Sequence, residues 1–449
     1  MTDGLWEKLL EQIEHLIEQE RFAELKTLLE ESHPADIAMI FPRLSRLEQH
    51  FVFDLLPPET ASDILVEVNE PTQERLLGKL DEHRLTSLVD ELESDEAADV
   101  LASIEPEVAE KVLHKLPEDT RQDLQHLLSY DEDTAGGIMS AELISVNENW
   151  TVQQAINEIR AQAEEVEEVY GVWVVDDLGT LKGQIPLKSL ILAKPSAKIN
   201  TIIDGDIHPV TADMDQEEVA HMMRRYDLVT TPVVDPQGRL IGRITWDDAM
   251  EVLSQESEED LSYISGTGEE EPSGRSVFTS IKHRLPWLIV SLIGEFAVAV
   301  VMSRFVESIE TLIALVFFIP IINALGGNAG MQSSVIIVRG LATGEVSFTD
   351  TGIRLVKELG VALLNGLLLG ILLFAIVIFW QKMWFEAVII SLSLLVVILI
   401  SSINGVLIPL LLKKAGLDPA VAMGPFVTVS NDIVGVFIYL TIASTLLIQ

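Results

Sequence analysis

The chain has 449 residues and no cysteine, which excludes disulfides, thiolate metal sites and cysteine nucleophiles. Positive charge is scarce: 30 Lys and Arg stand against 70 Asp and Glu, for a formal net charge of −40. The deficit is uneven. The first 284 residues hold 61 acidic and 23 basic residues, and the remainder 9 and 7. A region this acidic repels nucleic acid and anionic headgroups but concentrates cations, so no nucleic-acid partner is expected. No Walker A motif is present, so nucleotide hydrolysis is not encoded and no enzyme is expected. Met1 to Glu31 is amphipathic and charged throughout, unlike a signal peptide. With no disulfides either, the acidic half is expected in the cytoplasm.

Residues 1–130 read as a series of short helices. Starts are marked by Pro34, Pro57-Pro58, Pro71, Ser94, Pro106 and Pro117. Each is followed by acidic first-turn residues and an apolar stripe at i, i+3/i+4 spacing. Helices this short cannot bury a core alone, so the spacing predicts a stacked, superhelical α domain that serves as a scaffold or docking module.

A duplication follows, over 131–200 and 201–253. Val172-Trp173-Val174-Val175-Asp176, Gly179 and Leu181-Lys182-Gly183 recur 59 residues later as Thr231-Pro232-Val233-Val234-Asp235, Gly238 and Leu240-Ile241-Gly242. Each copy reads strand, helix, strand, tight turn, strand, helix, and the first carries extra acidic residues around Glu164 to Glu168. The repeat resembles a tandem pair of CBS domains, a Bateman module. In that family a Gly-x-x-[Ser/Thr]-x-x-Asp segment can hold an adenine nucleotide such as ATP. Gly242, Thr245 and Asp248 match it, whereas the first copy departs with Gly183, Pro186 and Ser189. His208-Pro209 is a second candidate adenine contact. An ordinary strand-to-helix cap by Thr245 and Asp248 accounts for the same residues.

An acidic connecting helix and a Gly-, Ser- and Glu-rich linker occupy 247–275. The hydrophobic part, 276–449, contains five stretches at about 285–303, 311–338, 359–380, 387–412 and 420–448. Each is about long enough for a hydrocarbon core of roughly 30 Å. Lys282, Arg284, Arg339, Arg354, Lys357, Lys413 and Lys414 fall on one side if the spans alternate. The positive-inside bias then places the N-terminus in the cytoplasm and the C-terminus outside.

Asp432 lies within the last stretch. A charge at the bilayer centre costs roughly 2.5–3.5 kcal/mol on insertion scales, and no basic residue lies in the core of any span. Thr428 precedes Asp432 by one turn, Gly435 and Tyr439 continue that face, and Asn431 is adjacent. The second stretch is expected to break between Asn323 and Ser334, where glycines, amides and hydroxyls, Asn328 and Gln332 among them, interrupt the apolar run. Neutral amide oxygens can orient waters around a hard cation; close helix packing through small residues is the plainer use of the same segment. Glu295, in the first stretch, matches no motif.

The order of acidic helical domain, CBS pair, acidic connecting helix and five spans is similar to that of the MgtE family of magnesium transporters. Pro320, Gly326-Gly327-Asn328-x-Gly330-x-Gln332-Ser333 and Asn431-Asp432 with Gly435 match its membrane motifs. The resemblance implies a homodimeric Mg²⁺ channel of the inner membrane, surrounded by lipid, with one pore along the dimer axis and Asp432 of both subunits at its selectivity site. Asn431, Thr428, Asn328 and Gln332 are the further ion-pathway candidates read from the residues themselves. The resemblance also implies regulatory Mg²⁺ at Asp95, Asp99, Asp213, Asp215, Asp227, Asp248, Glu251, Glu256 and Glu259. Ranking among Mg²⁺ and other divalent cations is not encoded legibly. Two other readings stay open: a divalent-cation carrier coupled to H⁺ or Na⁺, and a nucleotide sensor with a membrane anchor.

Overall fold

The structure, a computed structural model, describes residues 3–162, 166, 169–265, 277–311, 313–342, 351–422 and 424–447. Most of the acidic insertion at Glu164 to Glu168 and the linker 266–276 lie outside the described residues. The chain divides into two compact units, Met1–Ser254 and Gln255–Gln449.

The first unit opens with α1 (Asp3–Glu18), α2 (Phe22–Glu31), α3 (Pro34–Ile40), α4 (Arg46–Leu55), α5 (Pro58–Glu67), α6 (Glu70–Leu77), α7 (Glu82–Val89), α8 (Ser94–Ala102), α9 (Pro106–Leu113) and α10 (Glu118–Leu127). Pro34, Pro58 and Pro106 are first helical residues, Pro71 is second, and Pro117 caps α10. Proline suits these positions because its missing N–H has no partner there in any case. Ser45 and Glu48 form a capping box that starts α4, and Asp81 caps α7 by accepting from the Arg84 N–H at 2.7 Å. The helices stack α3 on α5, α5 on α7, α7 on α9 and α8 on α10. Their apolar stripes bury Leu25, Ile37, Phe53, Ile64, Leu76 and Leu88 completely.

The repeat forms β1 (Ser145–Asn147), α11 (Val152–Gln162), β2 (Gly171–Val175), β3 (Leu181–Pro186) and α12 (Leu187–Leu192). It recurs as β4 (Val210–Thr211), α13 (Gln216–Tyr226), β5 (Thr230–Val234), β6 (Leu240–Thr245) and α14 (Trp246–Ser265). In each copy the first strand runs parallel to the second and the second antiparallel to the third. The hairpin turns need Gly179 at φ 79° and Gly238 at φ 78°, a region that favours glycine. The two turns also bond each other, Leu181 N to Gly238 O at 3.0 Å and Leu240 N to Gly179 O at 3.1 Å. The second copy shares one hydrophobic core with the helical stack, through Met139, Val210, Met223 and Ile244, whereas the first copy has its own core around Val146, Val172 and Ile185.

The second unit contains α15 (Val277–Ser303), α16 (Val306–Thr311), α17 (Ile319–Ala342), α18 (Thr351–Gln381), α19 (Trp384–Lys414) and α20 (Pro425–Leu447). Among the described residues, five segments are long and apolar enough to cross a membrane: Ser280–Ser303, Leu315–Leu341, Gly352–Gln381, Trp384–Lys414 and Pro425–Leu446. α19 is central and packs against α17, α18 and α20. α15 runs in the same direction as α20, since Trp287 meets Phe426, Gly294 meets Val429 and Phe305 meets Phe437.

The expected break between Asn323 and Ser334 is not there: α17 is helical throughout. Its glycines serve contact instead. A Cβ on Gly326 would lie 2.7 Å from Val397 Cγ1, and one on Gly330 would lie 2.0 Å from Asn431 Nδ2. A Cβ on Gly405 of α19 would lie 2.2 Å from the Gly330 carbonyl. Helix hydrogen bonds keep the backbone satisfied where lipid supplies no partner, so small residues here bring helices together without breaking them. Gly405→Ala is therefore expected to destabilise the membrane unit by about 1–3 kcal/mol. Gly327→Ala, which meets nothing within 4 Å, should leave the thermal unfolding midpoint in detergent unchanged or raise it.

Candidate ion pathway and carboxylate cluster

On α20 the pathway candidates divide by face. Thr428 is exposed and Asp432 half-buried, so both reach the outer surface of the chain. Asn431 is 1% exposed and turns inward; its Oδ1 accepts from Asn404 Nδ2 at 3.3 Å, and its Nδ2 has no hydrogen-bond partner. Gly435 packs on Val397 and Asn323, and the buried Tyr439 donates its hydroxyl to the Leu315 carbonyl at 2.9 Å. These two residues build the scaffold, while Thr428 and Asp432 form the polar surface. On α17, Asn328 and Gln332 are both exposed one turn apart. Glu358 accepts from Ser333 Oγ at 3.1 Å, which ties α18 to α17.

In the first unit a carboxylate cluster forms where α8 meets the start of α14. Asp95 is buried, and its Oδ1 lacks a hydrogen-bond partner. Burial pushes its carboxyl well above the usual range, and Asp248, Glu93 and Glu96 add to the effect. Glu96 is raised to about 7 by burial, Glu93 and Asp248. Asp99 is exposed, yet protein packed around its carboxyl limits its hydration; with Glu251, Glu132 and Asp248 this raises it to about 7. Asp248 is raised by burial and held back by Thr245, which donates its N–H at 2.9 Å and its hydroxyl at 2.5 Å.

Arg243 is the base at this cluster, its Nη2 3.4 Å from Glu93 Oε1. Glu142 ties the start of α8 to the segment before β1, accepting from Ser94 Oγ at 2.6 Å. Among the described residues no three His, Asp or Glu side chains converge closely enough to hold a metal ion. The set is compatible with Mg²⁺ that keeps most of its waters and touches one or two carboxylates.

The remaining candidates are spread out. Asp215 caps α13, accepting from Glu217 N–H at 2.9 Å, and Asp227 ends it at φ 54°; both are exposed, as is Asp213. Glu251 joins the cluster through Asp99. Glu256 and Glu259 lie further along α14, where Asp260 is raised to about 6 by burial, Asp418 and Glu259. The nucleotide candidates each have a local partner in the fold. Gly242 packs on Met139, Thr245 and Asp248 cap one another, His208 stacks on Tyr226 at 4.0 Å, and Pro209 is exposed. A small cleft between the two repeat copies is lined instead by Ile144, Tyr170, Trp173, Thr230 and Arg243. Of these, Trp173 stood out in the sequence only as part of the repeat.

Carboxyls raised to about 7 give this cluster a pH dependence. Between their ordinary values near 4 and about 7, the assembled cluster binds protons that separated surfaces would release. Its stability is thus full at low pH and falls as pH rises through 7. A Mg²⁺ ion bound here would take the protons' place. Stabilisation of the full chain by millimolar Mg²⁺ is expected to be larger at pH 8 than at pH 6 by roughly 2–4 °C in unfolding midpoint. Asp99→Asn should shrink that difference; an equal Mg²⁺ effect at both pH values would count against it.

Comparison with known proteins agrees with this architecture. A family model described as a divalent cation transporter, MgtE, matches residues 319–442, one for the MgtE intracellular N domain matches 32–133, and one for the CBS domain matches 135–196 and 199–255. The magnesium transporter MgtE of Thermus thermophilus is 32% identical, over 98% of this chain and 99% of the relative. That of Bacillus subtilis is 28% identical, over 98% and 97%. Among solved structures, the cytosolic domain of the Mg²⁺ channel MgtE in complex with ATP aligns at 33% identity and TM-score 0.52, covering 54% of this chain and 99% of that one. With helical domain, CBS pair and apolar helices all matched in order, the chain belongs to the MgtE family of divalent cation transporters.

Proposed function

We propose that this chain is a Mg²⁺-selective channel that closes when cytoplasmic Mg²⁺ binds its acidic domains. The observation that carries the reading is Asp432, a carboxylate at the surface of an apolar helix, with the Thr428 hydroxyl one turn away. In a bilayer that surface must face water or another protein rather than lipid. A homodimer with α20 of each copy lining a shared pathway satisfies this, and brings Asn328 and Gln332 toward water as well.

Mg²⁺ holds its waters tightly, so two carboxylates with amide and hydroxyl oxygens can bind the hydrated ion without stripping it. Few ligands also let the ion leave, which conduction requires. With the N-terminal domains in the cytoplasm and the C-terminus outside, a negative-inside potential drives Mg²⁺ inward by about 4.6 kcal/mol per 100 mV, twice the single-charge value.

Regulation rests on the carboxylate cluster. Asp95, Asp99, Asp248 and Glu251 would share Mg²⁺ through water, drawing α8 and α14 together. Asp213, Asp215, Asp227, Glu256 and Glu259 would add exposed sites. A ligand that binds the closed arrangement better shifts the population toward it. The ATP bound by the related cytosolic domain suggests an adenine nucleotide for this chain as well, with the cleft beside the exposed Tyr170 ring as one place for the base. The Gly242, Thr245 and Asp248 segment stays a second candidate for the same ligand.

Recordings from the full chain in liposomes test the reading. Mg²⁺ current should fall as Mg²⁺ on the domain face rises from zero to about 10 mM, and should vanish in Asp432→Asn. Mg²⁺ flux without current, driven by an imposed H⁺ or Na⁺ gradient, would establish a coupled carrier instead.

A further inference from the structure

Glu295 is the one acidic residue in the interior of α15, and the channel reading leaves it unused. Its placement follows from its neighbour. Gly294 lets α15 approach α20 closely, since a Cβ there would fall 2.1 Å from Val429 Cγ1. Glu295 follows Gly294 and Asp432 lies one turn beyond Val429, so this close approach brings the Glu295 and Asp432 carboxyls near one another. Glu295 is exposed at the surface of the chain, beside Leu292 and Phe296, which are 69% and 70% exposed. Exposed apolar side chains on both sides mark a lipid-facing or partner-facing surface, where a lone carboxylate is costly. The basic residues of the spans all lie within two turns of a span end, so none of them comes from the interior to neutralise this pair.

We propose that Glu295 is a second acidic residue of the ion pathway, acting with Asp432 on the same hydrated cation and setting both its affinity and the preference for divalent over monovalent ions. The inference rests on the Asp432 pathway reading. Two carboxylates side by side repel one another, and a cation between them relieves that repulsion. A divalent ion gains twice the attraction of a monovalent one from each added charge. The second charge therefore raises affinity for Mg²⁺ more than for Na⁺ or K⁺. Reaching the ion through its water shell, Glu295 needs no fixed coordination geometry, and its position at the helix surface permits this.

The test uses the full chain in liposomes, with no Mg²⁺ on the domain face so that regulation is absent. Mg²⁺ current is measured against Mg²⁺ concentration, and Mg²⁺-to-Na⁺ permeability is measured alongside, for Glu295→Gln, Glu295→Asp and Asp432→Asn. Glu295→Gln should raise the half-saturating Mg²⁺ concentration roughly three- to tenfold and lower the permeability ratio, with the maximal current largely kept. Glu295→Asp, which retains the charge, should stay within about twofold of the unsubstituted protein. Unchanged half-saturation and selectivity in Glu295→Gln, with current abolished in Asp432→Asn, would overturn the inference and leave the pathway reading standing. A loss in Glu295→Asp as large as in Glu295→Gln would also overturn it, since that pattern belongs to packing rather than charge. Normal current in Asp432→Asn would instead remove the pathway reading on which Glu295 depends.

Discussion

Carboxylates held away from water and beside one another, with few bases among them, are the constraint on which both units depend. In the first unit Asp95, Glu96, Asp99 and Asp248 crowd around the junction of α8 and α14, with Arg243 placed at Glu93 on the edge of the group. In the second, Asp432 and Glu295 meet between α20 and α15. A core designed for stability alone would pair or remove these groups, because an unpaired buried charge is costly and apolar replacements often stabilise. Retaining them makes each arrangement conditional on something positive from solution. That condition is what the proposed cation sensor and the proposed pathway have in common.

The rest of the membrane unit supplies rigidity around that conditional element. Without side chains at Gly330 and Gly405, α17 and α19 approach until one backbone touches the other, and Asn431 is wedged beside them. Tyr439, fully buried and bonded to the Leu315 carbonyl, fixes the other end of α20. Close-packed helices with few voids do not deform continuously, so the position of Asp432 is set by contacts on the opposite side of its own helix. Gly294 does the same for Glu295, from α15. The chemistry sits on the exposed face and the geometry is dictated from the buried one.

Much of this was legible in the sequence where the signal is local. Proline at the first helical position has a direct steric cause, and the six marked starts each fall at or within one residue of a helix start or cap. The Ser45 to Glu48 capping box was readable by the same logic but was passed over. The 59-residue period holds from β2 to β6. It fails before β2, where α11 and α13 are offset by 64 residues, because the first copy carries its insertion there. Of the two readings of the glycine segment of α17, close packing through small residues holds and the break does not, because lipid penalises unbonded backbone heavily. Thr245 and Asp248 illustrate a different limit: the residue types that grip a ribose are also those that cap a helix. Pairs distant in sequence were not visible at all. Arg243 meets Glu93 across 150 positions, and neither Glu295 nor Asp432 signals the other through spacing.

The proposed gating by Mg²⁺, treated as a population shift, would account for the number of acidic residues. Moving a two-state equilibrium from 1:99 to 99:1 requires about 5.5 kcal/mol of differential binding. A weakly held, mostly hydrated Mg²⁺ with tenfold preference for the closed form supplies only about 1.4 kcal/mol. About four such ions are needed, and their effects multiply. Under the proposed regulation, dispersed carboxylates on α8, α13 and α14 would suit that task better than one tight cage, which would remain filled at all cytoplasmic concentrations. α14 begins at the Asp248 cluster in the first unit and ends in the second, where Tyr263 packs edge-on against Trp287. A continuous helix of this kind does not require a wired pathway of residues. It requires only that each bound ion favour the same position of the helix, so that many small preferences accumulate on one element.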